Sequence, residues 1–426
     1  MIYRLIRLCR ILAVLVIGAA FTLKGLASVL SQVLAAWRSG RQTDLPADLT
    51  KPESSAGQND ARKMRRAVFV TLLGFGLLAG IGGLLVVVSG LVPIAASSGH
   101  WPITEWFLKF AMSRSVSTHS LGIHTPPLND PDLVVKGGAY YEIGCRPCHG
   151  SPGLAQPRIA SRMVPPPPDL VRRAGELEPR ELFYIVKHGV KFTGMPAWPS
   201  QQRDDEVWAV VAFLKTLAHL DKDAYQQLVR GHSPSTSQML SLDERMSIAP
   251  IISLNCARCH GFDGVGRGTL PKLAGQRQGY LENALKAYAS GTRHSGMMEP
   301  MSVGLSPEDI RDAAGYYAAQ SSRGTLTPVT DPGALERGRA IAENGIPEQR
   351  VPSCLDCHAP EGEKFNANFP DLYGQRAKYL VLQLELLQKG KRGGSAYAHL
   401  MEPIAKRLKP DQIRDVAIYL ESLQAP

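Results

Sequence analysis

Three times in 426 residues the chain carries Cys-x-x-Cys-His: Cys145/Cys148/His149, Cys256/Cys259/His260 and Cys354/Cys357/His358. Two thiols at this spacing can add to the two vinyl groups of one haem, and the histidine that follows is then aimed at the iron. A zinc site would need two such pairs converging on one ion, and a dithiol redox motif needs no histidine after its second cysteine. All three pairs here end in His and lie far apart, as separate modules would. Six of the seven cysteines are used in this way, so three covalent haem c groups are expected. Cys9, in an apolar N-terminal stretch, reads as an inert buried thiol.

His149, His260 and His358 are the expected proximal ligands. The opposite ligand decides what such a site does, because a methionine raises the potential and a second histidine lowers it. Met195 in TGMPAWP, Met298 in MMEP and Met401 in LMEP each fall between a haem motif and a terminal helix. The matching Met-Glu-Pro singles out Met298 over Met297 and Met301. His188, His294 and His399 lie close to these methionines and remain alternatives. A His/Met iron has no open position for substrate, which favours electron transfer over catalysis at the metal. Pro168, Pro271 and Pro370 each precede x-Leu after a haem motif. A carbonyl from such a loop can fix the free nitrogen of the proximal imidazole, although a merely rigid turn explains Pro168 equally well.

The elements that must hold these groups are helical. VVKGGAYYEIGCRPCHG is a short amphipathic run that delivers the first cysteines at its C-terminal end, and DDEVWAVVAFLKTL places Val207, Val210, Val211 and Leu214 at helical spacing. Such a terminal helix is expected to pack across the first. The second and third modules are near-repeats. LPKLAGQRQGYLENALKAYASGTR matches FPDLYGQRAKYLVLQLELLQKGKR, and MMEPMSVGLSPEDIRDAAGYYAAQ matches LMEPIAKRLKPDQIRDVAIYLESL, the mark of a duplicated unit.

The net charge of +10 does not point to nucleic acid. Residues 1–96 hold 11 Lys and Arg against 4 Asp and Glu, leaving 37 against 34 in the rest, to which haem propionates would add negative charge. From Ala67 to Ser98 no residue is charged, which predicts a transmembrane helix. Arg62, Lys63, Arg65 and Arg66 precede it, while Trp101, Trp106, Phe107 and Phe110 follow, so its N-terminal end belongs on the cytoplasmic side and everything after it outside. An earlier apolar run, Ile11 to Leu23, is short for a span. It reads as a membrane-surface helix, as a second span within 11–36, or as part of an extension upstream of a functional start at Met64. Arg38 to Asn59 reads as a solvated linker. The expected boundaries are 1–66 for the N-terminal segment and linker, 67–96 for the membrane helix and 97–132 for an interfacial segment. Three haem modules then follow at 133–222, 238–322 and 333–426.

Residues 250–425 resemble the di-haem class I cytochromes of the c4 type, through the paired haem motifs, the P-x-L-x-G-Q-R-x-x-Y-L run and the shared I-R-D segment. Residues 133–220 resemble a mono-haem class I cytochrome c, through PPPPDL, IVKHGVKFTGMPAWP and DDEVWAVVAFL. The resemblance implies three small all-helical class I cytochrome c domains, the last two paired; with the N-terminal transmembrane helix read from the apolar run, the expected fold is all-α. Soluble c4 proteins lack the tethered third haem domain, so their partners need not carry over.

The expected function is single-electron transfer on the periplasmic face of a bacterial inner membrane. A terminal haem-copper oxidase is the expected acceptor, and a quinol:cytochrome c oxidoreductase or a periplasmic dehydrogenase the donor. The alternative is the cytochrome subunit of an alcohol, aldehyde or sugar dehydrogenase complex. An enzyme such as a peroxidase would need an open iron, against which the three methionines argue. Mass spectrometry of the mature chain is expected to show three covalent haems and an unmodified Cys9. Two or fewer in correctly matured protein would contradict the motif reading.

Overall fold

The computed structural model describes residues 55–90, 94–230, 250–321, 331–359 and 366–424. Cys9, the apolar segment within 11–36, most of the expected linker and residues 238–249 lie outside the described residues. The described chain is helical, its only extended pairings being isolated bridges. It forms two units, Met1–Pro93 and Ile94–Pro426.

The first unit contributes α1 (Ser55–Val88). Its stretch Arg62–Val88, 27 residues, is long and apolar enough to cross a membrane. At 1.5 Å per residue it spans about 40 Å, against a hydrocarbon core of about 30 Å. Leu72, Leu77, Leu84 and Val87 all face outward. The helix departs from the expected 67–96 at both ends. It begins within the supposed linker, where Ala56, Gln58, Ala61 and Lys63 are good helix formers. It stops at Val88 because Gly90 turns the chain with a φ of 66°, a conformation that ends helices and suits glycine.

The second unit opens with α2 (Pro102–His119). Trp101, Trp106, Phe107 and Phe110 are exposed on it. Its last turn is packed: Val116 is buried, Ser117 Oγ donates to Glu181 Oε1 at 2.7 Å, and His119 stacks on Tyr184. Part of the stretch read as interfacial is therefore structural support for the first haem module.

That module consists of α3 (Pro131–Tyr140), α4 (Pro179–His188), α5 (Asp204–Leu217) and α6 (Lys222–Arg230). A wide turn, Tyr141–Cys145, continues α3 into Arg146–His149. The extra residue in such a turn re-aims the side chains beyond it. The terminal helix crosses the first as expected, at Gly137, where a Cβ would lie 1.9 Å from the Ala209 carbonyl oxygen. Tyr141, Phe213 and Tyr225 share the core. Since Tyr225 and Val229 on α6 are buried there, the module's packing continues beyond residue 222.

The second module keeps the wide turn, Ile252–Cys256, before Ala257–His260, followed by α7 (Gln278–Ala289), α8 (Met298–Ser302) and α9 (Pro307–Ala318). The third has α10 (Pro332–Asn344), α11 (Ala377–Gln388), α12 (Ala398–Ala405) and α13 (Pro410–Ser422). Here α10 ends at Gly345, and a loop pinned by reciprocal Ile346–Val351 backbone bonds of 2.7 and 3.1 Å leads to Leu355–His358.

The duplicated residues clasp one another. Gln276 Nε2 donates to the Asp371 carbonyl at 2.9 Å and its Oε1 accepts from Asp371 N at 2.8 Å. Gln375 makes the same two bonds to Lys272, both at 2.9 Å. Each module thus gives its neighbour what it receives, an approximate twofold relation that the sequence duplication makes possible.

At Gly338, on α10, a Cβ would lie 2.1 Å from the Asp415 carbonyl oxygen on α13. Gly338→Ala is therefore expected to destabilise the third module by about 1–3 kcal/mol through forced separation of the helices, read as a lower thermal midpoint. Gly304→Ala, whose new methyl meets nothing within 4 Å, should leave the midpoint unchanged.

Candidate functional site

Each Cys-x-x-Cys-His run ends in one turn of helix, and each histidine is buried: His149 and His260 are 8 % exposed and His358 is 7 %. Burial is tolerable because Nδ1 has a partner. It lies 2.9 Å from the Pro168 carbonyl oxygen in the first module, 3.2 Å from that of Pro271 in the second and 2.8 Å from that of Pro370 in the third. A carbonyl accepts only, so Nδ1 carries the proton and Nε2 keeps its lone pair for a metal. Desolvation holds all three imidazoles below the ordinary histidine range, hence neutral at pH 7. The carbonyls singled out in the sequence are in place, Pro168 included, where a rigid turn alone was the equal alternative.

The loops are braced from behind. Tyr141 Oη donates to the Gly150 carbonyl at 2.7 Å and Tyr317 Oη to that of Gly261 at 2.9 Å. Gln156 Nε2 donates to the Pro167 carbonyl at 2.8 Å. Burial favours the neutral form of Cys145, pushed up to about 12, and of Cys256, Cys259 and Cys354, pushed up to about 11.

One cavity of about 360 Å³ runs through the second and third modules. Cys256, Cys259 and His260 of the second module and Cys354, Cys357 and His358 of the third all line it. Met298 and Met401 line it too, whereas His294 and His399 do not. His294 instead has its backbone tied to Arg392 and Arg203, and His399 Nδ1 faces the Ala396 carbonyl on an exposed turn. Met297 also lines the cavity but is packed against the core of the first module. In the first module Met195 is held in a loop closed by Val190 N to its carbonyl at 3.1 Å and by its own N–H to Thr193 Oγ1 at 3.1 Å. His188 packs against Tyr184 in a tilted arrangement, with centroids 4.7 Å apart and the rings inclined at 51°.

Two arginines that sequence reasoning passed over share the cavity. Arg293 reaches Tyr280 Oη at 3.2 Å and Tyr379 Oη at 3.1 Å, and Arg392 reaches Gln383 Oε1 at 2.8 Å. Among the described residues neither has a carboxylate partner, although Arg293 is only 4 % exposed. Guanidinium groups buried without counter-charge mark a place for anions. The signal was present in the duplication: Arg293 and Tyr280 recur as Arg392 and Tyr379. An apolar cavity with paired thiols, an oriented imidazole, a methionine and cationic groups fits a haem bearing two propionates.

The comparisons agree with this chemistry. Residues 132–214 match the family described as cytochrome c oxidase, cbb3-type, subunit III. Residues 249–318 and 335–424 match the cytochrome c family. Cytochrome c-552 of Acidithiobacillus ferridurans is 37 % identical over 180 residues, covering 40 % of this chain and 75 % of the relative. A thiosulfate dehydrogenase electron acceptor of Thiomonas intermedia is 33 % identical over 174 residues, covering 40 % and 80 %. Cytochrome c4 of Pseudomonas aeruginosa is 32 % identical over 170 residues, covering 39 % and 83 %. Domains of this kind imply covalent haem c and electron transfer. The chain belongs to the cytochrome c family, as a relative of the di-haem cytochromes c4 that carries an additional cbb3-type cytochrome domain.

Proposed function

We propose that this chain is a membrane-anchored tri-haem cytochrome c that relays single electrons on the periplasmic side of an inner membrane, toward a terminal oxidase. The observation that carries the reading is the threefold recurrence of one geometry: a buried imidazole, oriented by a proline carbonyl, beside a Cys-x-x-Cys pair.

In this reading the haem groups are held through Cys145 and Cys148, Cys256 and Cys259, and Cys354 and Cys357. Bound there, each supplies a one-electron iron couple. His149, His260 and His358 would hold the iron through Nε2, and Met195, Met298 and Met401 would supply a thioether to it. A thioether in that position favours the reduced state and leaves no coordination site for substrate. Arg293 and Arg392 balance propionate charge inside the cavity that the second and third modules share. Apolar walls such as Leu281, Ala313 and Leu420 keep water away, which reduces the reorganisation that accompanies each electron. We take the haem domains as 133–222, 238–322 and 333–426, the first continued to Val229 because Tyr225 and Val229 are buried in its core, and all preceded by the anchor in α1.

Three features support the setting. The stretch Arg62–Val88 is suited to a bilayer, the basic residues before it favour the cytoplasmic side for its N-terminal end, and the first module is matched by a family described as an oxidase subunit. A quinol:cytochrome c oxidoreductase is one donor of suitable chemistry. A second reading, electron acceptor to a periplasmic dehydrogenase, is favoured by relatives named thiosulfate dehydrogenase electron acceptor. Adding either donor class to the purified chain and following haem reduction separates the two.

Met298→Ala is expected to turn one of the three haems high-spin and abolish its thioether-to-iron band, while Met297→Ala leaves all three low-spin. The opposite pattern would show that the ligand register is wrong. A soluble chain starting at Ile94 retains α2 and all three modules. At equal total concentration in membranes it should support oxygen uptake roughly tenfold or more below the full chain, because tethering raises effective concentration without adding contacts. Equal uptake would remove the membrane from the mechanism.

A further inference from the structure

The first module does not hang free of the other two. Leu270 and Met297 of the second module are buried in its core, with Cys259 and Met301 packed against them. In the other direction Lys136, Tyr140, Ile143, Arg203 and Glu206 of the first module line the cavity that contains His260 and Met298. The second site is therefore walled by residues from a different module.

The junction is polar at its centre and closed to solvent. Glu206, 1 % exposed, accepts from Ser295 Oγ at 2.7 Å, from Gly296 N at 2.6 Å and from Trp198 Nε1 at 3.1 Å. Arg203 pairs with it at 3.1 Å, grips Asp205 through two nitrogens at 2.8 and 3.0 Å, and donates to the His294 carbonyl at 2.7 Å. Lys136 Nζ reaches Asp205 at 3.0 Å. Two cations thus face two anions, and the remaining donors to Glu206 come from both loops, Trp198 from the one that carries Met195 and Ser295 and Gly296 from the one that leads into Met298. The fit leaves no slack, since a Cβ on Gly296 would lie 1.9 Å from Trp198 Nε1. Trp198 follows Met195 in the same short loop, so the two methionine loops abut at this point.

We infer that the first module is the built-in partner of the second haem site. Glu206 and Arg203 hold the Met195–Trp198 loop against the Ser295–Met298 loop, close the second site to water and outside proteins, and make first-to-second transfer the internal step. This rests on the tri-haem reading above. With haems bound, one electron would pass from a reduced first site to an oxidised second site, the first being oxidised as the second is reduced, with no atom or proton moved. External partners are then confined to the first and third sites, and the route is linear. Glu206 is a positioning residue here, acting through the loop that carries Met298.

The test uses the full-length, haem-loaded chain with the haem count verified first; a count below three would overturn the tri-haem reading itself. Glu206→Leu leaves the Ser295, Gly296 and Trp198 donors without their acceptor and Arg203 with Asp205 as its remaining carboxylate, whereas Glu206→Gln keeps an acceptor oxygen. Spectroelectrochemical titration of Glu206→Leu should show the second site's potential falling as water enters, with the third site unmoved, and first-to-second exchange after pulsed reduction slowed at least tenfold. Glu206→Gln should restore both values to near those of the unaltered chain. Gly296→Ala, which wedges the loops apart, should reproduce the leucine variant.

A second-site potential and an exchange rate within twofold of the unaltered chain in both Glu206→Leu and Gly296→Ala, with three haems bound, would overturn the inference. If these variants fail to mature, hydrogen exchange on the unaltered protein decides. The Gly296 amide should be protected as strongly as core helix amides, and rapid exchange there would contradict the Glu206 bond.

Discussion

Everything in this fold depends on burying an imidazole without leaving its polar nitrogen unpaired. A neutral histidine has one donor and one acceptor, and an apolar pocket penalises either if it is wasted. The proline carbonyls at 2.9, 3.2 and 2.8 Å use the donor, which leaves the acceptor to a metal and fixes the plane of the ring. Proline suits the position because it has no N–H of its own to satisfy and its fixed φ keeps the loop from collapsing into the cavity. The helices, wide turns and tyrosine braces then serve to hold that carbonyl and that ring in register. The third module makes the point most clearly: its approach to Cys354 differs from the others, yet the His358 contact is preserved.

Pairing the second and third modules follows from the same economy of polar groups. The backbone of Lys272 and of Asp371, one residue beyond each proximal-side proline, would be left unbonded in the contact between the modules. Gln375 and Gln276 supply both a donor and an acceptor to those two positions. A glutamine is the natural residue for a peptide group that needs both partners at once. Because the sequence is duplicated, the solution found by one module serves the other, and the loops that orient two histidines become braces for one another.

Much of this was legible in the sequence because it is local. The haem motifs, the three prolines, the methionines ahead of terminal helices and the helical spacing of Val207 to Leu214 all lie within short windows, where chain geometry limits what a residue can reach. The crossing of the first module's terminal helix over its first helix could be anticipated, though not its closeness at Gly137. Other features were hidden for a physical reason. Glu206, in DDEVW, looks like an exposed first-turn acid that favours a helix N-terminus; it is buried because Ser295 and Gly296, some ninety residues away, satisfy it. Arg293 and Arg392 look like surface cations until the cavity is seen. The burial of Tyr225 beyond the supposed end of the first module depends on a long-range bond to Glu142 at 2.6 Å. The start of α1 was obscured by polar residues that form helix as readily as linker.

The junction between the first and second modules uses buried charge where apolar packing would have been more economical. Breaking one partner of such a cluster is costly, yet replacing the whole by apolar side chains is often neutral or stabilising. Stability alone therefore does not explain why Lys136, Arg203, Asp205 and Glu206 sit there. Hydrogen bonds, unlike apolar contacts, are directional, and these end on the carbonyl of His294, the hydroxyl of Ser295 and the amide of Gly296. An oily contact would let two modules slide by a fraction of a turn with little loss; this one admits a single register. Electron exchange between fixed centres falls steeply with separation, and a ligand loop that shifts alters the potential of the iron it serves. For the relay proposed above, a contact that sacrifices some stability for one register is what is needed at the step between modules that the sequence does not duplicate.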